Sequence, residues 1–176
     1  MKNKIIILIS LIFFSCENEK NNYKPISSGR INSISVIIDK VDWDSNIGDE
    51  IRNSFASEFK GLPQIEEAFN LNQIPYEAFT GFGRTARNII FINQKKDDKP
   101  KMVRDKFARP QLFLEISGTD QQTIIKNLKN VTNFSINEFQ KGEIAENKRR
   151  ILKSTLNKTN LQEIIFLSLK IPTAYS

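Results

Sequence analysis

Three short runs of apolar residues, rich in isoleucine and leucine, constrain the fold of this chain more than any other feature. They read INSISVIID at 31–39, RNIIFINQ at 87–94 and QLFLEIS at 111–117. Their length, and the turn-forming and polar residues around them, favour buried β-strands over helices. A less regular apolar stretch at 64–79 contains Pro75 and predicts one or two further extended pieces.

Helical spacing of apolar residues marks three other segments. In the first, Asn46 is the predicted cap and an apolar stripe recurs every four residues, at Ile47, Ile51, Phe55 and Phe59. Thr119 has the position of a cap for a second, short helix. Ser135 has the same position for a third helix, which is predicted to reach about Leu156.

The order of these segments predicts the class of fold. The polar stretch 95–104 is a predicted loop, and the apolar segment 161–176 is a predicted final strand. The resulting order β-α-β-β-β-α-α-β favours an α+β fold with helices packed on one face of a mainly antiparallel sheet. At 176 residues the chain has room for one such domain, which we assign to 29–176.

The amino terminus has the features of a bacterial lipoprotein signal. Two lysines precede the apolar run 5–14, which is about half as long as the ~20 residues that cross a bilayer. The run is followed by Ser15 and then by Cys16, the only cysteine in the chain. A lipobox carries its lipid on the sulfur at this position. We therefore predict a signal peptide at 1–15 and lipidation of Cys16.

The alternative is an ordinary secretory signal followed by an incidental cysteine, because Phe13 and Phe14 stand where a lipobox usually has leucine and a small residue. The polar residues after Cys16 favour the lipoprotein, since they predict a flexible tether over 16–28. Glu17 replaces the aspartate that often retains lipoproteins at the inner membrane. We therefore expect a lipid-anchored protein of the cell envelope, at the outer membrane rather than the inner membrane.

Composition limits the chemistry that the chain can perform. It has no histidine and one cysteine, which excludes Ser-His-Asp and Cys-His catalysis and zinc sites built from these residues. Loss of Lys2 and Lys4 with the signal reduces the 26 basic residues by two, against 20 acidic residues. We assign this modest excess to solubility and expect no nucleic-acid partner. We also expect no cofactor.

Two groups of side chains are candidate sites. Asp42, Asp44 and Asn46 occupy the first, third and fifth positions of a calcium loop, although the glycine of such a loop falls one place late, at Gly48. Helix capping explains these residues equally well, and we predict no metal. Four arginines bracket the central strands and are candidates for contact with a phosphate or carboxylate ligand, with structural ion pairs as the alternative: Arg84, Arg87, Arg104 and Arg109.

Basic residues mark the last predicted helix, around Lys148-Arg149-Arg150. With Ile144, Ile151 and Leu152 on the opposite side, this helix has the composition of one that lies on an anionic membrane surface. A charged face in solvent is the alternative. The single tryptophan, Trp43, is predicted as half-buried packing.

Taken together, these features predict a protein that binds or scaffolds rather than catalyses. The expected partners are the membrane, through the N-terminal lipid, and other envelope proteins or polysaccharide. The alternative is a carboxylate-dependent hydrolase acting on envelope glycans, which would need two acids held several ångströms apart across a cleft.

Short segments spread along the chain also recur, in order and spacing, in a known family: Gly29-Arg30, Trp43 with Gly48-Asp49, Leu62-Pro63-Gln64, Arg87-Asn88-Ile89 and Ala108-Arg109-Pro110-Gln111. In these segments the chain resembles an uncharacterised lipoprotein family of Bacteroidota, classed as domain of unknown function 4837. The resemblance implies a lipid-anchored envelope protein without an established activity. It also implies that the chain is the amino-terminal part of a longer protein, since Ile171-Pro172 and Tyr175 then resemble internal landmarks.

Overall fold

The computed structural model describes residues 23–58, 64, 66–94 and 99–153. Its strands are β1 (Ser33–Ile37), β2 (Asn70–Ile74), β3 (Asn88–Asn93), β4 (Lys101–Arg104) and β5 (Leu112–Ser117). Its α-helices are α1 (Lys40–Trp43), α2 (Asn46–Phe55) and α3 (Gln121–Lys153). Two 3₁₀ turns lie between β2 and β3, at Tyr76–Ala78 and Gly81–Thr85.

The five strands form one mostly parallel sheet in the order β2-β1-β3-β5-β4. Only the pairing of β4 with β5 is antiparallel within this sheet. The fold is therefore α+β, but the prediction of a mainly antiparallel sheet was wrong. The reason lies in 101–104, which was predicted as loop and forms β4. This strand returns the chain along the sheet, so that β5 can run parallel to β3.

Both larger helices pack on one face of the sheet. Ile34 and Val36 of β1, together with apolar residues of β3 and β5, form a core with the buried stripe of α2. Phe139 of α3 completes this core and meets Phe55 and Phe69 edge-on, with ring centroids 6.1 Å apart in each pair. The predicted stripe of the first helix is thus confirmed at Ile47, Ile51 and Phe55.

Aromatic side chains from loops cover the opposite face. Phe79, which follows the first 3₁₀ turn, lies among Phe91, Phe107 and Phe113, with ring centroids 5.7 to 6.4 Å from its own. Tyr76 extends this cluster and donates its hydroxyl proton to the carbonyl oxygen of Ile92. Burial, with a smaller effect of two nearby aspartates, raises the pKa of the Tyr76 hydroxyl. The sheet is therefore covered on both faces, as parallel sheets require.

The helix boundaries differ from their predictions. Ser45, rather than Asn46, caps α2, since its Oγ accepts a hydrogen bond from the amide of Ile47 at 3.2 Å. The two predicted carboxyl-terminal helices are one continuous helix, α3. Asp120, rather than Thr119, caps it by accepting from the amide of Thr123 at 2.9 Å. Ser135 does not begin a helix, because its side chain is buried in the middle of α3.

Several predictions fall outside the described residues. These are the lipidation of Cys16, the signal peptide and most of the tether, the packing of Phe59, the loop at 95–98 and the strand at 161–176. Within the described part of the chain, no helix combines the length and the apolar character needed to cross a bilayer.

Candidate ligand-binding site

A buried polar cluster lies at the sheet edge formed by the amino ends of the parallel strands. Arg87 immediately precedes β3, Asn88 begins it, and α3 brings Glu143 and Glu146 across this edge. All four side chains are buried. We refer to Arg87, Asn88, Glu143 and Glu146 as the amino-edge cluster.

Glu143 is the centre of the cluster. Its Oε1 accepts hydrogen bonds from Arg87 Nε at 2.8 Å and from Asn88 Nδ2 at 2.6 Å. Its Oε2 accepts from Arg87 Nη2 at 3.1 Å and from the backbone amide of Asn32 at 2.7 Å. A buried carboxylate needs such compensation, because its desolvation costs several kcal/mol. The four bonds thus tie α3 to the beginnings of β1 and β3.

Glu146 forms the outer part of the cluster. It accepts from Arg149 Nε at 2.6 Å and from Arg150 Nε at 2.7 Å, and its Oε1 lies 3.9 Å from Arg87 Nη1. The pKa of the Glu146 carboxyl is lowered to about 2, and the hydrogen bond from Arg149 is the largest cause. Burial acts to raise this pKa, but the hydrogen bond from Arg150 lowers it further. Glu146 is therefore ionised at neutral pH.

Two atoms of the cluster have no hydrogen-bond partner within the described part of the chain. These are Arg87 Nη1, which can donate, and Asn88 Oδ1, which can accept. Arg87 is 4% exposed and Asn88 is 1% exposed, and the nearest acidic oxygen to Arg87 Nη1, Glu146 Oε1, lies 3.9 Å away, beyond hydrogen-bond distance. Buried polar atoms normally have a partner, and an unpaired one needs an explanation such as bound water or ligand.

Arg87 and Asn88 line the same small cavity, of about 190 Å³, which we call the Arg87 cavity. A second cavity of about 320 Å³ shares three of its lining residues, Arg104, Pro110 and Gly142, and therefore adjoins it. Pocket volumes of about 300 to 1,000 Å³ are typical of small-molecule sites. The two adjoining cavities together offer space of that order.

A glutamine from the loop before β5 shapes one wall of the Arg87 cavity. The Gln111 side chain donates from Nε2 to the carbonyl oxygens of Arg84 and Ala86, both at 2.7 Å. Its Oε1 accepts from the amide of Phe107 at 2.8 Å. The Arg109–Pro110 peptide bond in this loop is cis. Gln111 thus connects two loops and fixes the position of this wall.

The carboxyl groups around the two cavities have lowered pKa values. For Asp105, burial acts to raise the pKa, but the backbone amide of Gln111 and the side chain of Arg109 outweigh it and leave the pKa lowered. For Glu138, the hydrogen bond from Lys141 is the largest cause of a lowered pKa. Together with Glu146, these groups remain ionised at neutral pH.

The four candidate arginines do not form one site. Arg87 and Arg104 line the Arg87 cavity, where Arg104 also pairs with Glu138. Arg109 is exposed and pairs with Asp105 at 2.9 Å. Arg84 lies on the aromatic face, with its guanidinium carbon 5.3 Å from the ring centre of Phe107.

Two of the three candidate calcium residues have protein partners. Asp42 Oδ2 accepts from Gln94 Nε2 at 2.5 Å, and Asp44 pairs with Lys40 at 2.7 Å. Asn46 is exposed in the first turn of α2. In the described ranges, no three acidic or cysteine side chains lie together as a metal site would require. Trp43 is half-buried against the core beside these residues.

Sequence reasoning identified Arg87 but missed Asn88, Glu143 and Glu146. A signal for the two acids was present. Glu143 lies four residues after the apolar Phe139, and Glu146 three residues further, so all three occupy one side of a helix. An acid on the apolar side of a helix indicates a buried ionic partner.

A larger depression of about 520 Å³ lies beside β1 and β2, with the exposed Phe82 on its rim. Its lining includes none of the residues whose buried polar atoms lack partners in the described part of the chain. The Arg87 cavity is therefore the stronger candidate site, although it is smaller.

The family described as Domain of unknown function (DUF8532) matches residues 27–152, and the chain therefore belongs to this family. The expected resemblance to the Bacteroidota lipoprotein family, domain of unknown function 4837, was wrong. Its short segments were not specific, and two of them, Gly29-Arg30 and Arg87-Asn88, contribute contacts to the polar edge that supports this fold. No curated protein and no solved structure matches the chain.

Proposed function

We propose that this chain is a lipid-anchored protein of the bacterial cell envelope. We further propose that it binds a neutral, hydroxyl-bearing ligand, such as a sugar unit of envelope polysaccharide, without transforming it. The observation that carries the binding function is the pair of unpartnered polar atoms, Arg87 Nη1 and Asn88 Oδ1, on residues that line one cavity.

The chemistry of these two atoms favours a hydroxyl group. A hydroxyl can accept from the guanidinium and donate to the amide oxygen at the same time. A carboxylate or a phosphodiester can accept from Arg87 but has no proton to donate to Asn88. Moreover, Arg87 is already neutralised by Glu143, to which it donates two hydrogen bonds. The Arg87 cavity therefore has little positive charge to spare for an anion.

The acids around the cavity support binding rather than hydrolysis. A general acid needs a carboxyl group that keeps its proton near neutral pH, and thus a raised pKa. The pKa values of Asp105, Glu138 and Glu146 are instead lowered by their basic and hydrogen-bonding partners. These carboxylates act as partners for arginine and lysine side chains.

The anchor rests on the sequence. Cys16 follows a short apolar segment at the position of a lipobox cysteine. The chain joins the domain at Pro25, whose carbonyl oxygen accepts a hydrogen bond from the amide of Arg109 at 2.9 Å. This leaves a short connection between the predicted lipid and the domain.

Ligand binding is tested with the lipidated protein in detergent, with saturation-transfer NMR of glucose and N-acetylglucosamine as probes. We expect saturation transfer to both sugars and its loss in Gly142→Leu, because Gly142 lines both cavities and a leucine there would take up space where they adjoin. Asn147→Leu, at an exposed site on the same helix, is the matched control and should bind as wild type does. A protein that binds neither sugar, or binds phosphate instead, would refute the proposed ligand.

The anchor is tested separately by metabolic labelling with a palmitate analogue. The wild-type chain should be labelled in a bacterial host, and Cys16→Ser should not. A wild-type chain that is secreted without label would leave the ordinary secretory signal as the explanation.

A further inference from the structure

The last turns of α3 present exposed charge of one sign. Between residues 141 and 153 the acids, Glu143 and Glu146, are both buried. The exposed charged side chains of the same stretch are all basic: Lys141, Lys148, Arg149, Arg150 and Lys153. We call residues 141–153 the basic end of α3. It carries a local excess of positive charge that the modest net charge of the chain conceals.

Two large apolar side chains lie exposed among these cations. Ile144 is 57% exposed and Leu152 is 54% exposed. Lys148 stands four residues from each, so the three side chains follow one side of the helix. Exposed apolar residues flanked by lysine and arginine are typical of helices that lie at a membrane surface.

The position of the basic end in the fold points to the membrane. Arg150 Nη2 donates to the carbonyl oxygen of Gly29 at 2.9 Å, so the end of α3 contacts the segment through which the chain enters the domain. The chain from Cys16 to Pro25 spans at most about 30 Å when fully extended. A lipid on Cys16 would therefore keep the basic end of α3 within reach of the bilayer surface.

We propose that the basic end of α3 is a second membrane contact, which binds the phosphate headgroups of anionic lipids while Ile144 and Leu152 enter the interface. This inference rests on the proposed lipid anchor. Each lysine or arginine near an anionic surface strengthens binding about fivefold, and the effect falls off within a Debye length. Lys148 and Lys153 are exposed, and among the described residues they form no ion pair, whereas the other cations of this stretch each pair with an acid; they are the cations most available to lipid.

The test uses lipidated protein reconstituted through its own anchor into vesicles. A polarity-sensitive fluorophore is attached to Leu152→Cys, or in the control to Val41→Cys. Val41 is also an exposed apolar residue of a helix, but it follows the carboxyl end of β1, at the opposite edge of the sheet. We expect a blue shift at position 152 in vesicles that contain phosphatidylglycerol, its reversal by high salt, and no shift at position 41.

Charge variants complete the test. Lys148→Gln and Lys153→Gln should each weaken the contact about fivefold, whereas Lys40→Gln, at an exposed lysine near the opposite edge, should have no effect. A lipidated protein whose probe at 152 does not respond, or responds equally in phosphatidylcholine vesicles and at high salt, overturns this inference alone. A protein that carries no lipid overturns the anchor as well, and the palmitate label distinguishes the two cases.

Discussion

Arg87 and Glu143 form a buried, bidentate ion pair that connects the sheet to its long helix, with Nε–Oε1 and Nη2–Oε2 distances of 2.8 and 3.1 Å. The two residues are 56 positions apart in the chain, so the pair closes a large part of the fold. Both side chains have lost their water, and each depends on the other for compensation.

We therefore expect Arg87→Ala to lower the free energy of unfolding by about 3–5 kcal/mol, because it leaves the Glu143 carboxylate buried without its cation. Arg109→Ala is the control, since Arg109 forms an exposed pair with Asp105 and its loss should cost less than about 1 kcal/mol. Chemical denaturation of both variants measures the difference. Equal costs would mean that burial of the Arg87 pair has no energetic consequence.

Stability should fall in acid as Glu146 becomes protonated. Its pKa is lowered from 4.5 to about 2 in the folded protein, so the unfolded chain binds the proton more tightly. The contribution is complete above pH 4.5 and is lost as the pH falls towards 2. After allowance for solvent around the half-exposed Arg149 and Arg150, it is about 1 kcal/mol. In chemical denaturation across this pH window, Glu146→Gln should show a flatter pH dependence of stability than the wild-type protein.

Phe139 should be among the most sensitive core positions. It is fully buried and contacts Phe55 and Phe69 edge-on. Phe139→Ala should therefore cost about 3–5 kcal/mol in the free energy of unfolding. Phe134, on the same helix, is 58% exposed, and Phe134→Ala should stay within about 0.5 kcal/mol. A costly Phe134→Ala would show that its ring is covered in solution.

The start of α3 can be tested at two adjacent residues. Asp120→Ala should lower the midpoint of thermal unfolding by about 5 °C, because the variant leaves the amide of Thr123 without its cap. Thr119→Ala should have little effect, since the cap lies one residue later. A larger loss of thermal stability in Thr119→Ala than in Asp120→Ala would show that Thr119 is the cap, as the sequence pattern indicates.

Two glycines should respond differently to substitution by alanine. A Cβ at Gly48 would lie 1.8 Å from the carbonyl oxygen of Trp43, so Gly48→Ala should destabilise the domain by about 3 kcal/mol. A Cβ at Gly142 would have Leu112 Cδ1 as its nearest neighbour, at 3.5 Å, which is an ordinary contact. Gly142→Ala should therefore be neutral or should stabilise α3 by up to about 1 kcal/mol. Thermal unfolding of the two variants measures these changes in stability.

The strands were predictable because their apolar residues are adjacent in sequence. Ile89, Ile90, Phe91 and Ile92 follow one another without a polar residue, and β3 is buried on both faces as a result. The same feature is typical of parallel strands and argued against the antiparallel sheet. The topology was predicted wrongly because β4 was not recognised as a strand: its sequence, KMVR, has only two apolar residues.

The site was less accessible to sequence reasoning. Arg87 was one of four similar arginines, and only tertiary structure distinguishes its burial from the exposure of Arg109. The partner that buries it, Glu143, comes from a different element. Local patterns also divided α3 at Ser135, because a serine followed by an acid three residues later has the sequence of a capping box wherever it occurs. Ser135 is fully buried within the continuous helix α3, so tertiary packing overrides that local preference.

The contacts around Gly29 have a mechanical consequence for an anchored protein. A pull on the tether would first load Pro25 and Ser27, which are bonded to the backbone of Arg109. It would then load Ser28, whose amide donates to Thr85 and whose carbonyl oxygen accepts from the amide of Arg87. Beyond it, Arg150 binds the carbonyl oxygen of Gly29 and Glu143 binds the amide of Asn32. Tension would thus have to break ionic and backbone bonds together before β1 could separate from the sheet, and the amino edge would resist force that is applied through the proposed anchor.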